Sequence, residues 1–162
     1  MSKWLLPLGT GLQGLGLALI VGGMLAIGAF AAPAIFKQFA RAEAGAALTM
    51  VFRRYDVVLL ISLGLVLVGE ALRIVFGSFS LTAPVSIARY VIFAVTAGMM
   101  IYSTQVVNAD IERMQQAGIH PGATGEGLRF ARTHKLSESL YKWEMMGAAL
   151  LILLTPFVPH KP

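Results

Sequence analysis

The chain has 162 residues, of which 57% are hydrophobic and 13% are charged, and its mean hydropathy is +0.74. Soluble domains carry about 25% charged residues, so this composition excludes an ordinary water-soluble globule. The absence of cysteine excludes disulfides and thiolate metal sites, and the net charge of +5 lies on Lys and Arg between apolar runs, which argues against nucleic-acid binding.

The first apolar run extends from residue 4 to residue 36 without a charged side chain. About 20 apolar residues cross a bilayer, so we predict a spanning helix over residues 12–36. Its end, GAFAAPAIFKQF, resembles a signal-peptide cleavage region. The apolar core of a signal peptide has only about 7–15 residues, so we expect this longer segment to be retained. Pro33 is expected to bend the last turns of the helix.

Three further helices are predicted. The second covers residues 55–76, and the third covers residues 87–116, where an apolar part continues as a polar helix rich in good helix formers. A glycine-rich loop over residues 117–129 follows the third helix. The fourth helix covers residues 130–157, and its first part is amphipathic. The sequence therefore predicts an all-α, polytopic membrane protein, with residues 1–162 forming one four-transmembrane-helix bundle.

Lys and Arg residues predict the orientation of this bundle. Nine of the thirteen lie on the side that holds the connections between helices one and two and between helices three and four. The positive-inside rule makes this side cytoplasmic, so we expect a multi-pass protein of the plasma (inner) membrane with both termini outside. The nine are Lys37, Arg41, Arg53, Arg54, Arg113, Arg129, Arg132, Lys135 and Lys142, and the other four are Lys3, Arg73, Arg89 and Lys161.

A stripe of small residues on the first helix indicates a packing face. Small residues four apart let another backbone approach closely, which is how helices associate in lipid. The face serves either packing within the chain or a seam to another chain, such as a second copy or a larger membrane complex. The stripe is Gly14, Ala18, Gly22 and Ala26, with Gly64 and Gly98 as candidate counterparts.

Two polar groups are candidates for function. Glu70 and Arg73 are three apart on the second helix, so we expect an intramembrane pair that neutralises itself near the membrane surface, with a proton or cation route through Glu70 as the alternative. His134, Ser137 and Tyr141 share one face at the start of the fourth helix. We expect them to form a hydrogen-bonded latch to residues 53–56, and a ligand or proton site is the alternative.

The sequence offers no catalytic, cofactor or metal site. A Ser and a His on one helix lack the orienting group and oxyanion donors of a nucleophilic enzyme. Three histidines at different places cannot supply paired haem ligands, and methionine pairs without His or Cys are weak evidence for copper. The basic cluster Arg129, Arg132 and Lys135 is expected to contact anionic lipid head groups, so the bilayer itself is a partner.

Three stretches resemble the transmembrane protein 205-like family, a four-helix membrane domain: VGGMLAIGAFAAPAIFKQF, AEAGAALTMVFRRYDVVLL and FARTHKLSESL. The chain departs from that family at residues 108–109, where proline is expected, and at Tyr141, where asparagine is expected. The resemblance implies a four-helix fold and a loose link to tolerance of drugs or metal compounds and to membrane trafficking, and it implies no reaction. The matching residues are Gly22, Gly23, Pro33, Phe36, Gly45, Phe52, Tyr55, His134, Ser137 and Leu140.

Two function classes remain. The first is a non-enzymatic accessory or structural subunit that associates through small-residue helix faces with itself or with a larger membrane complex. The alternative is a small transporter or permeation pathway for an ion, metal or drug-like solute. Transporters generally place broken helices or charges around a midplane site, and the sequence shows neither clearly, so we favour the subunit.

Overall fold

The computed structural model describes residues 4–77 and 80–158, all of whose regular elements are helices. Helix α1 spans Leu5–Gln38, α2 spans Arg41–Phe76, α3 spans Pro84–Gln116 and α4 spans Gly125–Leu154, followed by a 3₁₀ turn, Thr155–Phe157. Lys3 and Lys161, which contribute to the predicted orientation, lie outside the described residues, as does the side chain of Arg41.

Every helix begins earlier than the sequence predicts. The expected starts at residues 12, 55, 87 and 130 follow the apolar runs, whereas the helices themselves start at residues 5, 41, 84 and 125. The segment before residue 55 is rich in Ala, Glu, Leu and Arg, which are good helix formers, so α2 continues beyond its apolar part. The connection between α3 and α4 is shorter than the expected loop 117–129, because α4 begins at Gly125.

Local backbone features explain where α3 ends and where α1 and α3 depart from regular α-helix. Gly118 has a φ of +72°, and the Ile119 amide donates to the Met114 carbonyl while the Gly118 amide donates to Gln115, which is a Schellman cap on α3. Helix α1 continues through Pro33, which cannot donate to the Ala29 carbonyl, and a π-helical segment, Ala26–Ala31, lies directly before it. A second π-helical segment, Ser103–Val107, interrupts α3.

Large apolar side chains cover the outside of the bundle, while several charged and amide side chains lie inside it. Ile61 and Val75 are 60% and 70% exposed, whereas Gln13, Arg89 and Glu144 are buried. Hydrocarbon, unlike water, stabilises this arrangement, because the apolar surface then faces lipid and the polar groups pair with one another. The fold is therefore that of a helical membrane protein.

Three of the four helices are long and apolar enough to cross a membrane: Leu5–Gln38, Glu43–Phe76 and Pro84–Gln116. Helix α4 is less apolar, because Glu138, Lys142 and Glu144 precede its apolar end. The predicted all-α bundle is confirmed by the described residues, and its fourth membrane span stays a prediction.

Glycine controls the contact between α1 and α2, which is the most extensive helix pair in the bundle. Gly9, Gly16 and Gly23 recur every seven residues on the face of α1 that meets α2. A Cβ atom added at Gly16 would lie 2.6 Å from the Ser62 carbonyl oxygen, and one added at Gly69 would lie 2.5 Å from the backbone nitrogen of Gln13. The two backbones are thus in direct contact, as small residues allow in lipid.

The predicted stripe Gly14, Ala18, Gly22 and Ala26 is not this contact face. All four residues are exposed, and no atom of another segment in residues 4–77 and 80–158 lies within 4 Å of a Cβ added at Gly14 or Gly22. Gln13 explains the rotation of α1, because it faces α2 and the next residue along a helix points about 100° away. The prediction that this stripe packs within the chain is therefore wrong, and its alternative, a seam to another chain, stays a prediction. Gly64 and Gly98 also lack such neighbours and are not its counterparts.

The backbone contact predicts that alanine lowers the stability of the bundle at one glycine of α2 and not at another. Gly69→Ala forces α1 and α2 apart, and overpacking of this kind costs about 1–3 kcal/mol of unfolding free energy. Gly64→Ala is the matched control, because no atom of another described segment lies within 4 Å of its added Cβ. Thermal unfolding in mild detergent should show a lower midpoint for Gly69→Ala than for Gly64→Ala. Equal midpoints would contradict the backbone contact.

Candidate functional site

Glu70 is the centre of a buried polar network that joins three helices. Its carboxylate accepts two hydrogen bonds from the Arg89 guanidinium of α3, at 2.6 and 2.7 Å, and one from the Gln13 amide of α1, at 3.0 Å. Arg73 Nη1 lies 3.5 Å from the same carboxylate and donates to the Gln13 amide oxygen. We call Gln13, Glu70, Arg73 and Arg89 the Glu70 network, and none of the four is more than 9% exposed.

The predicted pair of Glu70 and Arg73 is thus part of a larger network. Arg89, which the sequence analysis counted only for orientation, makes the shorter and bidentate contact with the carboxylate. The contact between Glu70 and Arg89 could have been predicted from the sequence, because the two residues lie at similar distances from the connection between α2 and α3. Residues at equal distances from the turn of an antiparallel helix pair lie at the same height. Gln13 carries no comparable signal.

A second group of polar side chains joins α2, α3 and α4 at the other end of the bundle. The Asn108 amide donates to the Asp56 carboxylate at 3.2 Å, and the Ser137 hydroxyl donates to the Asn108 amide oxygen at 3.1 Å. We call these three residues the Asp56 network. It reaches the surface through Arg53, which lies 3.9 Å from Asp56 and 2.9 Å from Glu112.

Two tyrosine hydroxyls fix α1 against the neighbouring helices. Tyr55 of α2 donates to the Ile20 carbonyl at 2.7 Å, and Tyr141 of α4 donates to the Met24 carbonyl. The second contact lies next to the π-helical segment of α1, where Tyr141 also contacts Gly28. Backbone carbonyls close to a π-helical segment are suitable acceptors for such hydroxyls, because the regular hydrogen-bond ladder is interrupted there.

The predicted latch of His134, Ser137 and Tyr141 is divided among different partners. Ser137 contacts α3 and Tyr141 contacts α1, as described above, while the His134 side chain is 57% exposed and lies 3.4 Å from Glu138 of its own helix. Among the described residues, no hydrogen bond or ion pair joins His134 to residues 53–56, so its part of the predicted latch is wrong. The His134 ring instead stacks with that of Phe130, which packs against Val107, Ile111 and Met114 of α3.

The three residues of the predicted basic cluster, Arg129, Arg132 and Lys135, also differ in their surroundings. Arg129 makes two hydrogen bonds to Asp110 of α3, at 2.8 and 2.9 Å, and both residues line an open groove between α3 and α4 with Arg113. Arg132 and Lys135 are exposed. These last two residues are therefore the ones best placed for lipid head groups, and the contact with lipid itself stays a prediction.

Glu144 is a buried carboxyl group that the sequence analysis missed. It is 3% exposed, and its Oε1 atom has no hydrogen-bond partner among the described residues. Its neighbours are the Ser103 side chain in the π-helical segment of α3 and the charge of Asp56 on α2. The sequence contained one signal, an acidic residue directly before the charge-free end of α4. Within residues 4–77 and 80–158, no group of three or more His, Asp and Glu side chains could hold a metal ion.

The Glu70 network predicts a large loss of stability when its carboxylate is neutralised. Glu70→Gln leaves two buried guanidinium groups without their anion, and removing one partner of a buried ion pair costs about 3–5 kcal/mol. The control is Glu138→Gln on α4, whose carboxylate is 59% exposed. Unfolding of both variants by increasing SDS in mixed micelles measures the difference. If the two variants unfold alike, the network does not stabilise the bundle.

Comparison with known proteins gives a family and no closer relative. No curated protein and no solved structure matches the chain significantly. The family model described as "Domain of unknown function (DUF4149)" matches residues 15–120, which include Asp56, Glu70, Arg89 and Asn108 but not α4. Because this match covers well over half of the sequence, the chain belongs to the DUF4149 family of domains of unknown function.

Proposed function

We propose that the protein is a non-enzymatic membrane subunit of four spans that acts by associating through the outer face of α1. The observation that carries this proposal is the exposed stripe of Gly14, Ala18, Gly22 and Ala26. A different set of glycines, at positions 9, 16 and 23, makes the contact with α2, so the outer stripe has no role in packing within the described chain. An identical face on a second copy is a complementary surface for it, since a two-fold interface uses one patch twice.

The proposal assigns a fourth span to α4. Its one deeply placed carboxyl group, Glu144, points into the bundle, and Lys142 is exposed nearer the polar end of the helix. The chain after Glu144 is free of charge as far as residue 159. With four spans, the positive-inside rule supports a plasma (inner) membrane protein with both termini outside and the two basic connections in the cytoplasm.

The absence of an enzymatic role is part of the proposal. A nucleophilic mechanism needs a nucleophile, a base and an orienting group in contact. Ser137 donates to Asn108 and His134 lies beside Glu138, so this Ser and His are not arranged as nucleophile and base. The resemblance to the transmembrane protein 205-like family is a finer assignment than the DUF4149 match. Its link to tolerance of drugs or metal compounds remains an expectation.

A second candidate function is a transporter or permeation pathway. The observation in its favour is Glu144, a buried carboxyl group at the level of the helix α3 interruption. Against a solute pathway through the centre of the bundle, the central cavity has a volume of only about 10 Å³ and is lined almost entirely by apolar side chains such as Leu17, Phe93 and Leu151. A space of that size holds about one water molecule, so a drug-like solute does not fit in that cavity.

The association predicts a disulfide between two copies of the chain. The sequence contains no cysteine, so a single Ala18→Cys substitution places the only thiol on the outer stripe. Oxidation in native membranes should give a cross-linked product of twice the chain mass. Val68→Cys is the control, because this side chain is 53% exposed on a different helix. A cross-link between Ala18→Cys and a different protein would show that the partner is a heterologous subunit and not a second copy. The absence of any cross-linked product of Ala18→Cys would contradict the association.

The proposal also includes anionic lipid head groups as partners of the exposed Arg132 and Lys135. Each basic residue near an anionic surface contributes about 1 kcal/mol of attraction. The double substitution Arg132→Gln, Lys135→Gln should therefore release anionic lipid that copurifies with the parent protein, as native mass spectrometry detects. Unchanged lipid retention would remove this part of the proposal.

A further inference from the structure

Glu144 is the one buried carboxyl group of the described bundle that lacks a cationic partner. Glu70 contacts two arginines and Asp56 lies 3.9 Å from Arg53, whereas no salt bridge of the described residues includes Glu144. An isolated carboxylate loses its hydration when it is buried in an apolar surrounding, which costs far more than protonating it. A buried carboxyl group in this situation therefore holds a proton or another cation.

The charged and titratable groups around Glu144 favour the neutral form. Helix α2 contributes Asp56, whose negative charge opposes a second one nearby, and Tyr55. Helix α4 contributes Tyr141, and the hydroxyls of both tyrosines are already donated to carbonyls of α1. Helix α1 carries no charged side chain up to residue 36. Helix α3 contributes a hydroxyl, that of Ser103, and no charge at this level.

Ser103 is the polar group of α3 that lies beside Glu144. The Ser103 hydroxyl lies at 3.1 Å from the Met100 carbonyl and donates its hydrogen to it. A serine hydroxyl has one hydrogen to donate and two lone pairs to accept with. Ser103 is a neutral group, so it does not supply the positive charge that an ionised and buried Glu144 would require.

From these observations we infer that Glu144 is a proton-binding site in the interior of the bundle, loaded from the end that carries the Asp56 network. The side chains of Arg53 and Glu112 connect the surface to Asp56, whose charge acts on Glu144, and they are 46% and 31% exposed. Within the described part of the chain, the opposite end has no equivalent route to Glu144, since the core there consists of Leu17, Ile20, Met100 and Leu151. This inference does not rest on association through α1.

Infrared spectroscopy of the purified full-length protein tests the site directly. A protonated carboxyl group has a C=O stretching band above the amide I band, and this band shifts when the hydrogen is exchanged for deuterium. The parent protein at neutral pH in sodium-free buffer should show such a band. Glu144→Gln should abolish it completely, while the exposed control Glu138→Gln should retain it. A parent spectrum without the band, or a band that persists in Glu144→Gln, overturns the inference.

One further variant and one change of buffer keep the assignment unambiguous. Asp56→Asn should leave the band in place, and its disappearance there would assign the proton to Asp56 and overturn the inference for Glu144. Sodium should not remove the band, and its loss on adding sodium alone would identify a metal-cation site instead. Folding is checked by thermal unfolding in detergent. Since Gln imitates a neutral Glu, Glu144→Gln should unfold within error of the parent, and a marked change in its midpoint would contradict a neutral Glu144.

Discussion

The pairing of Glu70 with Arg89 and Gln13 is the interaction on which the bundle most depends. Lipid provides no hydrogen bonds to buried charges, so a carboxylate and two guanidinium groups inside the helices must satisfy one another. The four side chains of the Glu70 network come from α1, α2 and α3 and fix the rotation of each helix about its axis. The orientation of α1 then determines which of its small residues face inward and which face outward.

That orientation has consequences along the whole length of α1. With Gln13 directed at Glu70, the face that contains Gly9, Gly16 and Gly23 meets α2 in backbone contact. Towards the other end, the hydroxyls of Tyr55 and Tyr141 bind carbonyls of the same helix. The stripe that begins at Gly14 is turned outward by the same geometry and becomes a surface for another helix. Gln13 thus determines which face of α1 contacts α2 and which face is left for the proposed contact with another chain.

Much of the architecture could be predicted from the sequence, because apolar length and the spacing of charges are properties of the chain alone. The four helices and their order follow from the apolar runs, although Arg41 to Arg54 shows that a helix continues wherever the residues favour it. Contacts between helices were harder to predict. Glycine spacing identifies a close approach but not its direction, and only the partner of Gln13 decides between the stripes at Gly14 and Gly16.

The candidate sites show the same difference between local and long-range information. Glu70 and Arg73 are three residues apart, so their proximity is readable from the helix repeat, whereas Arg89 required the pairing of α2 with α3. His134 was expected at an interface because of its position beside Ser137, but its side chain is exposed and pairs with Glu138 of its own helix. Glu144 is a single acidic residue in the sequence, and its burial beside Ser103 became visible only with α3 and α4 packed together.

All of these interactions presuppose that the helices cross a bilayer, and labelling of single cysteines tests this most directly. The chain has no cysteine of its own, and Thr82 and Ala123 are exposed in the connections on either side of α3. In intact cells, a membrane-impermeant maleimide should label Thr82→Cys, and should label Ala123→Cys only after the membrane is permeabilised. Equal labelling of both variants before permeabilisation would mean that α3 does not cross the membrane, and would contradict the bundle described above.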